Sequence, residues 1–207
     1  MSGPIRILVV DDHAITRFGI ISLLETEPDL AVIGQAEDGE AAIAITNQLR
    51  PDVVIMDLMM PKIDGLEATK RIMRAHPETK ILILTTFGEA DSIGHALDAG
   101  ASGAVMKNTD TSDFPAIIRD IAAGKRIISP EISKMLSDNP PVPHLTERQK
   151  AILLSVTRGL SNKDIAAQFD ISPDCAKDHV NTILAKVGAA NRAEAVAIAL
   201  RKHLLKI

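Results

Sequence analysis

The 207-residue sequence contains no tryptophan or tyrosine, only four phenylalanines and a single cysteine, Cys175. Readers of single-stranded nucleic acid stack bases on aromatic side chains, so this composition argues against that class. One cysteine cannot form a disulfide within the chain and is typical of a reducing compartment. The apolar runs are strand-sized, well short of a membrane span. A strand pattern begins at Ile5, which leaves no room for a signal peptide. We therefore expect a cytoplasmic protein without a membrane partner.

Charge is distributed unevenly along the chain, whose formal net charge is −4. Residues 1–128 contain 12 Lys and Arg against 19 Asp and Glu, a net charge of −7. Residues 129–207 contain 11 against 8, a net charge of +3. An acidic part joined to a basic part suggests two functions, one of which involves a polyanion.

Short apolar runs alternate with helical patterns in the first part of the chain. Strands are predicted at 5–10, 30–35, 53–56, 80–84 and 103–106. Helices are predicted near 15–25, 40–49, 66–75, 92–99 and 114–123. Five successive β-α units predict an α/β fold, a doubly wound five-stranded parallel sheet with helices on both faces. Strands buried on both faces explain the continuous apolar runs. We expect this domain to span residues 1–128.

The second part of the chain begins with a proline-rich segment. Residues 129–144 contain four prolines and are predicted to form a linker with a short helix near 131–136. Beyond it the strand pattern disappears and helix start signals replace it. The predicted N-caps are Thr146, Ser161, Ser172 and Asn191. They predict a second, all-α domain of four short helices over residues 145–207.

Polar side chains follow the apolar strands of the predicted sheet. They are Asp11, Asp12, Asp57, Thr85 and Lys107. In a flavodoxin-like strand order, 2-1-3-4-5, the first and third strands are neighbours, so three carboxylates converge at the edge where ligands bind. Such carboxylates repel one another unless a cation joins them, and Mg²⁺ suits a site that also receives a phosphoryl oxygen. The set predicts phosphoryl transfer to Asp57 as the nucleophile, with Thr85 and Lys107 contacting the phosphoryl oxygens.

Four motifs, ILVVDDH, DVVIMDLMMPKIDGLE, ILILTTF and GASGAVMK, together resemble the receiver domain of NarL/FixJ-class response regulators. The match spans residues 5 to about 124. This resemblance implies that Asp57 takes a phosphoryl group from a sensor histidine kinase. It also implies that Asp11 or Asp12, with the backbone carbonyl of Met59, helps to hold Mg²⁺.

Two positions depart from the receiver pattern. Ala104 stands where receivers usually carry Tyr or Phe, and Asn108 stands where many carry proline. In the family, the aromatic ring moves inward as the threonine shifts toward the phosphoryl group. Ala104 has no ring to make that movement.

The motifs LTERQ, GLSNKDIA and NRAEAV resemble the LuxR-type helix-turn-helix, over residues 145–200. Helices at 162–168 and 173–187, joined by a short turn, have the proportions of that motif. The polar face of the second helix is then expected in the major groove of double-stranded DNA. The candidate DNA-binding residues are Lys163, Cys175, Lys177, Asp178, Asn181, Lys186 and Arg192.

These candidates differ in what they can contact. Lys177 suits guanine or phosphate, and Asn181 suits adenine. Asp178 is repelled by phosphate but can accept a hydrogen bond from the amino group of cytosine. Phosphate contacts are expected from Lys163, Lys186 and Arg192. Burial as a small apolar residue is the simpler interpretation of Cys175.

The LuxR-type resemblance also implies a homodimer formed through the last helix. In that helix, Ala195, Ile198, Ala199 and Leu205 are available for a partner, although core packing alone also explains them. The preferred interpretation is a phosphorylation-controlled, sequence-specific regulator of transcription. Beyond its own phosphorylation and dephosphorylation, we expect no enzymatic activity.

Two other classes remain open. In one, the helical domain binds a protein partner or works independently of phosphorylation, a possibility that the acidic Asp178 supports. In the other, the sheet carries an enzyme such as a magnesium phosphatase or a flavin protein. The absence of a Walker phosphate loop and of a G-x-G-x-x-G motif, together with the few aromatic residues, argues against the enzyme.

Overall fold

A computed structural model of the chain describes residues 3–86, 90–109, 112–141, 145–202 and 204–205. The chain divides into two compact units, residues 1–141 and 142–207. Within the described residues, no helix is long and apolar enough to cross a membrane.

The first unit is a parallel sheet surrounded by helices. Its strands are β1 (Ile5–Val10), β2 (Leu30–Ala36), β3 (Val53–Asp57), β4 (Lys80–Thr85), β5 (Gly103–Met106) and β6 (Ile127–Ile128). Its helices are α1 (Ala14–Leu24), α2 (Gly39–Leu49), α3 (Gly65–Ala75), α4 (Ala90–Asp98), α5 (Phe114–Ala122) and α6 (Pro130–Asp138). The strand order is β2-β1-β3-β4-β5-β6, and every neighbouring pair is parallel. The predicted fold class and the order of the first five strands are confirmed.

The sheet has one strand more than the five predicted. β6 pairs with β5 through two residues, Ile127 beside Gly103 and Ile128 beside Ala104. Two residues are too few to show the alternation by which a strand is recognised in a sequence. The sixth strand was therefore missed, although the fold class is unchanged.

The core lies on both faces of the sheet because successive strand residues point to opposite sides. In β3, Val54 and Met56 belong to one buried cluster, with side chains from α2, α3, α4 and α6. Val53 and Ile55 belong to the other, with side chains from α1 and α5. This two-sided burial accounts for the continuous apolar runs.

Helix α6 lies in the segment predicted to be a linker. Ser129 caps its first turn by accepting a hydrogen bond from the Ile132 amide at 3.4 Å. Ile132 is fully buried in the same cluster as Ala104, with Met135 partly buried against it. The described part of the segment, up to residue 141, therefore packs as part of the first unit.

The second unit consists of helices α7 (Glu147–Thr157), α8 (Asn162–Phe169), α9 (Pro173–Val187) and α10 (Arg192–Arg201). Thr146 and Ser161 each form the predicted capping box, in which side chain and backbone exchange two hydrogen bonds. Ser172 and Asn191 cap α9 and α10 through side-chain oxygens that accept backbone amides. The four-helix architecture is confirmed.

The core of the second unit uses one face of α9 and most of the apolar face of α10. The buried residues of α9 are Ala176, Val180, Ile183 and Val187. On α10, Ala195, Ile198 and Ala199 are buried in the same cluster, and Leu205 is partly buried against it. Core packing therefore explains Ala195, Ile198 and Ala199, which are buried and not available to a partner as one interpretation had it, whereas Leu205, which follows α10, is only partly buried. Leu200 of this helix remains half exposed.

Candidate functional site

The predicted acidic residues meet at the carboxyl edge of the sheet because of the strand register. Val10 lies beside Met56, so Asp11, which follows β1, lies next to Asp57 at the end of β3. At the end of β4, Thr85 pairs with Met106, and the Lys107 amide donates to the Thr85 carbonyl at 2.7 Å. Parallel strands thus bring together residues that are far apart in sequence.

Lys107 joins the two buried carboxylates of this edge. Its Nζ lies 2.8 Å from Asp57 Oδ2 and 2.8 Å from Asp11 Oδ2. The contact with Asp57 is a hydrogen bond, whereas the angles of the contact with Asp11 leave that oxygen without one among the described residues. Asp57 is 3% exposed and Asp11 is 1% exposed, so both depend on this ammonium for charge compensation.

The electrostatics of this pair follow from burial. Burial raises the pKa of Asp57, the Lys107 ammonium opposes the rise, and the net pKa lies above the ordinary value. Burial alone would lower the pKa of Lys107, yet its contacts with Asp11 and Asp57 raise the pKa overall. Lys107 therefore stays charged at neutral pH beside a carboxylate that is costly to ionise.

The same edge can hold a divalent cation. Carboxylate oxygens of Asp11, Asp12 and Asp57 and a ring nitrogen of His13 lie within 4.8 Å of one another. The buried carboxylates of Asp11 and Asp57 supply hard oxygen donors, which suit Mg²⁺. The Met59 amide approaches Asp57 Oδ1 at 3.4 Å, which keeps this residue's backbone beside the carboxylates. The donor set fits Mg²⁺.

Sequence reasoning missed two neighbours of the site. His13 was given no chemical role, yet its Nδ1 lies 2.6 Å from Asp12 Oδ1. Arg17 on α1 donates from Nη1 to the backbone carbonyl of Asp11 at 2.7 Å. The sequence signal was an arginine six residues after Asp11. The helix that follows β1 places this arginine beside the end of the strand.

Apolar side chains are exposed beside the acidic edge. Ile15 is 89% exposed and Phe18 is 73% exposed, both on α1. A groove of about 220 Å³ runs between α1 and the start of α5, with Lys107 and Thr109 in its wall. Exposed apolar patches of this kind mark interaction surfaces.

In the second unit, helix α9 has a buried apolar face and an exposed polar face. Lys177, Asp178 and Asn181 are exposed and lie away from the buried stripe. Lys163 is exposed near the start of α8, whereas Cys175 is partly buried. Three side chains are thus displayed together on the face predicted to contact DNA.

Two predicted phosphate contacts make hydrogen bonds within the second unit. Arg192 donates to Asn162 Oδ1 at 3.0 Å and also to the Leu160 carbonyl, which ties the start of α10 to the start of α8. Lys186 Nζ donates to Gln149 Oε1 at 3.1 Å. The sequence does not show such partners, because they lie far from Arg192 and Lys186 along the chain.

Two family models match the chain. Residues 7–119 match the response regulator receiver domain. Residues 143–199 match the luxR family of bacterial regulatory proteins. Together they cover both units.

Whole-chain relatives agree with these matches. The response regulator protein VraR of Staphylococcus aureus is 37% identical over 207 residues, with 98% of this chain and 99% of VraR covered. The crystal structure of the response regulator ChrA, from a heme-sensing two-component system, has a TM-score of 0.59 at 33% identity and covers 99% of this chain and all of that one. RcsB of Salmonella enterica serovar Typhimurium, bound to promoter DNA with phosphomimetic BeF3−, has a TM-score of 0.68 at 25% identity, covering 96% and 99%. The chain therefore belongs to the two-component response regulators that join a receiver domain to a LuxR-family DNA-binding domain and regulate transcription.

Proposed function

We propose that Asp57 is the phosphoryl acceptor of this regulator and that a sensor histidine kinase is the donor. A carboxylate oxygen of Asp57 attacks the phosphorus of a phosphohistidine, the P–N bond breaks, and the imidazole leaves. One observation carries this proposal: Lys107 Nζ lies 2.8 Å from both Asp57 and Asp11 at the sheet edge. An ammonium there can follow the charge from the carboxylate to the phosphoryl oxygens.

Other residues of the edge have distinct roles in this proposal. Thr85, whose carbonyl accepts the Lys107 amide, donates its hydroxyl to a phosphoryl oxygen. Asp11, Asp12 and Asp57, with the Met59 carbonyl, hold Mg²⁺. When bound, Mg²⁺ neutralises charge on the carboxylates and the transferred group.

The surface around the acceptor supports a protein donor. The groove between α1 and α5, which Ile15 and Lys107 both line, provides apolar contact area, and Phe18 adds an exposed ring on the same helix α1. We place this reaction in the cytoplasm and assign the chain no enzymatic activity beyond its own phosphorylation and dephosphorylation.

The output is sequence-specific binding to double-stranded DNA by a phosphorylation-dependent homodimer. Lys177, Asp178 and Asn181 on α9 are the proposed base readers, and their shared exposed face supports this role. Lys163 and Lys186 are the proposed phosphate contacts. Because Arg192 makes two hydrogen bonds within the unit, to Asn162 and to the Leu160 carbonyl, we assign it a supporting role. Cys175 is partly buried, and we assign it packing beside the reading face.

Incubation with acetyl phosphate and magnesium, followed by intact-protein mass measurement, tests the acceptor. The wild-type chain is expected to gain one phosphoryl group, and Asp57→Asn is expected to gain none, because the amide is not a nucleophile. Asp52→Asn serves as a control, since it removes an exposed carboxylate outside the cluster and leaves the acceptor and the proposed Mg²⁺ ligands in place. A phosphoryl group retained in Asp57→Asn would contradict the assignment.

A further inference from the structure

The loop that follows Asp57 is anchored by an ion pair outside the acidic cluster. Lys62 Nζ lies 2.5 Å from Asp38 Oδ2, and the Asp38 side chain is only 4% exposed. The other oxygen of Asp38 accepts the Ala41 amide at 2.8 Å and so caps α2. The Ala41 amide, followed by the Lys62 ammonium, holds the pKa of Asp38 below its usual range. Asp38 is therefore a charged, fixed anchor at neutral pH.

The backbone of Lys62 is unusual for a residue with a side chain. Its φ is 61°, in the left-handed region that favours glycine. Residues persist in such conformations where their surroundings require them, and such positions cluster at functional sites. The contact with Asp38 gives a physical reason for a lysine at this position.

A second link joins the same two loops. The Gly39 amide donates to the Ile63 carbonyl at 3.0 Å. A Cβ at Gly39 would lie 2.4 Å from that oxygen, closer than real Cβ atoms approach a backbone atom. The tip of the loop after β3 is thus attached to the start of α2 by one hydrogen bond and one adjacent ion pair.

The base of the loop is equally constrained. The Gly65 amide donates to the Leu58 carbonyl at 3.0 Å. A Cβ at Gly65 would lie 1.9 Å from the Asp57 carbonyl oxygen, so the start of α3 packs directly on the acceptor's backbone. The loop of residues 58–64 is therefore fixed where its two ends meet beside Asp57, and again at Lys62 by the ion pair with Asp38. Met59 lies between these two points.

We propose that Lys62 and Asp38 are positioning residues for phosphorylation. Their ion pair fixes the loop 58–64 so that the Met59 carbonyl and the Asp57 carboxylate share one divalent cation. Neither side chain touches the transferred group, and both act through the backbone of the loop. This inference rests on the proposed role of Asp57.

Four variants separate positioning from simple structural support. Lys62→Gly removes the ammonium but accepts the positive φ, whereas Lys62→Arg keeps a cation. Asp38→Asn keeps an oxygen for the Ala41 amide but removes the charge. Arg71→Ala is the control, because it removes an exposed ion pair with Glu67 on α3. The measurements are Mg²⁺ affinity by calorimetry on the unphosphorylated chain and hydrogen exchange of the Gly39 amide without Mg²⁺.

Lys62→Gly and Asp38→Asn are expected to bind Mg²⁺ about 10-fold more weakly, as is common when a residue that orients a metal ligand is lost. The Gly39 amide is expected to exchange faster in both. Lys62→Arg and Arg71→Ala are expected to behave like the wild type. The weaker Mg²⁺ binding of Lys62→Gly cannot come from backbone strain, because glycine is favoured at the φ of 61° found at this position.

Unchanged Mg²⁺ affinity in Lys62→Gly would overturn the proposal, as would an equal loss in Arg71→Ala. Acetyl phosphate treatment of the wild type, run in parallel, keeps the two proposals distinguishable. A wild type that binds Mg²⁺ but gains no phosphoryl group contradicts the acceptor role of Asp57, while the affinities of the variants still decide the role of Lys62. A wild type that binds no Mg²⁺ contradicts both.

Discussion

Asp57 is placed where an ionised group is costly to the fold. It ends a strand whose five residues are all buried, and among the described residues Lys107 and the Met59 amide offset the burial of its charge. Nucleophilic carboxylates that are held in such surroundings commonly reduce the stability of the protein that carries them. The raised pKa of Asp57 expresses this conflict between function and stability.

Asp57→Asn is therefore expected to stabilise the chain at neutral pH. In the folded state Asp57 keeps its proton to a higher pH than in the unfolded chain, where the pKa of its carboxyl is near 3.8. The free energy of unfolding therefore falls as pH rises from 3.8 through the raised pKa of Asp57 in the folded state. The side-chain amide in Asp57→Asn does not ionise and avoids this loss. We expect a higher melting temperature at pH 7, with the gain shrinking toward about pH 4.

Thermal unfolding followed by circular dichroism at both pH values checks this expectation. Asp52→Asn is an exposed control that leaves the site intact. A melting temperature that falls at pH 7 in Asp57→Asn would show that the pair with Lys107 outweighs the burial of the carboxylate.

The strand-end residues illustrate what the sequence reveals. Continuous apolar runs predict buried parallel strands, and the order of those strands alone brings Asp11 and Asp57 together. The hydrogen bonds of Arg192 could not be predicted, because its partners are Asn162 at the start of α8 and the Leu160 carbonyl just before that helix. Lys62 was missed for a similar reason, since the sequence indicates neither the positive φ of Lys62 nor its ion pair with Asp38.

Helix α6 lies where a short helix near 131–136 was predicted, but its packing on the first unit was not expected. Four prolines in 16 residues predict a linker, and a helix of nine residues provides little periodicity. Its position is set by packing, because Ile132 enters the cluster that also contains Ala104. The small side chain of Ala104 is consistent with a helix covering this end of β5.

Ile132→Ala is expected to destabilise the first unit by about 2–4 kcal/mol, the usual cost of emptying a buried isoleucine site. Urea unfolding of the variant measures the change. Lys134→Ala, an exposed position on the same helix, is the matched control and is expected to lie within about 0.5 kcal/mol of the wild type. If both variants unfold at the same urea concentration, α6 does not pack as described.

The two parts of the chain differ in net charge, and each part contains a different domain. The acidic part, residues 1–128, contains the receiver domain with the proposed acceptor Asp57, and the basic part, residues 129–207, contains the LuxR-family domain. A net positive charge suits a partner that carries phosphates. If α9 reads DNA as proposed, we expect the acidic Asp178 beside Lys177 to favour selectivity over affinity, because it repels phosphate.

Lys177→Ala is expected to weaken DNA binding by about 1–3 kcal/mol if the side chain reads a base, and to relax base preference at one position. Fluorescence anisotropy with fragments selected by the wild type from a random pool measures the loss. Lys150→Ala is the control, because Lys150 pairs with Glu147 on α7. Equal affinity of Lys177→Ala and the wild type would mean that α9 is not the reading helix.

The central claim is that phosphorylation of Asp57 controls DNA binding. The most direct measurement is the affinity of the full chain for its selected DNA, with and without acetyl phosphate and Mg²⁺, beside Asp57→Asn. The account predicts an increase of about 10-fold for the wild type, typical of coupling between two sites, and no change for Asp57→Asn. Equal affinity of the phosphorylated and unphosphorylated wild type would contradict it, and the helical domain would then act without the switch.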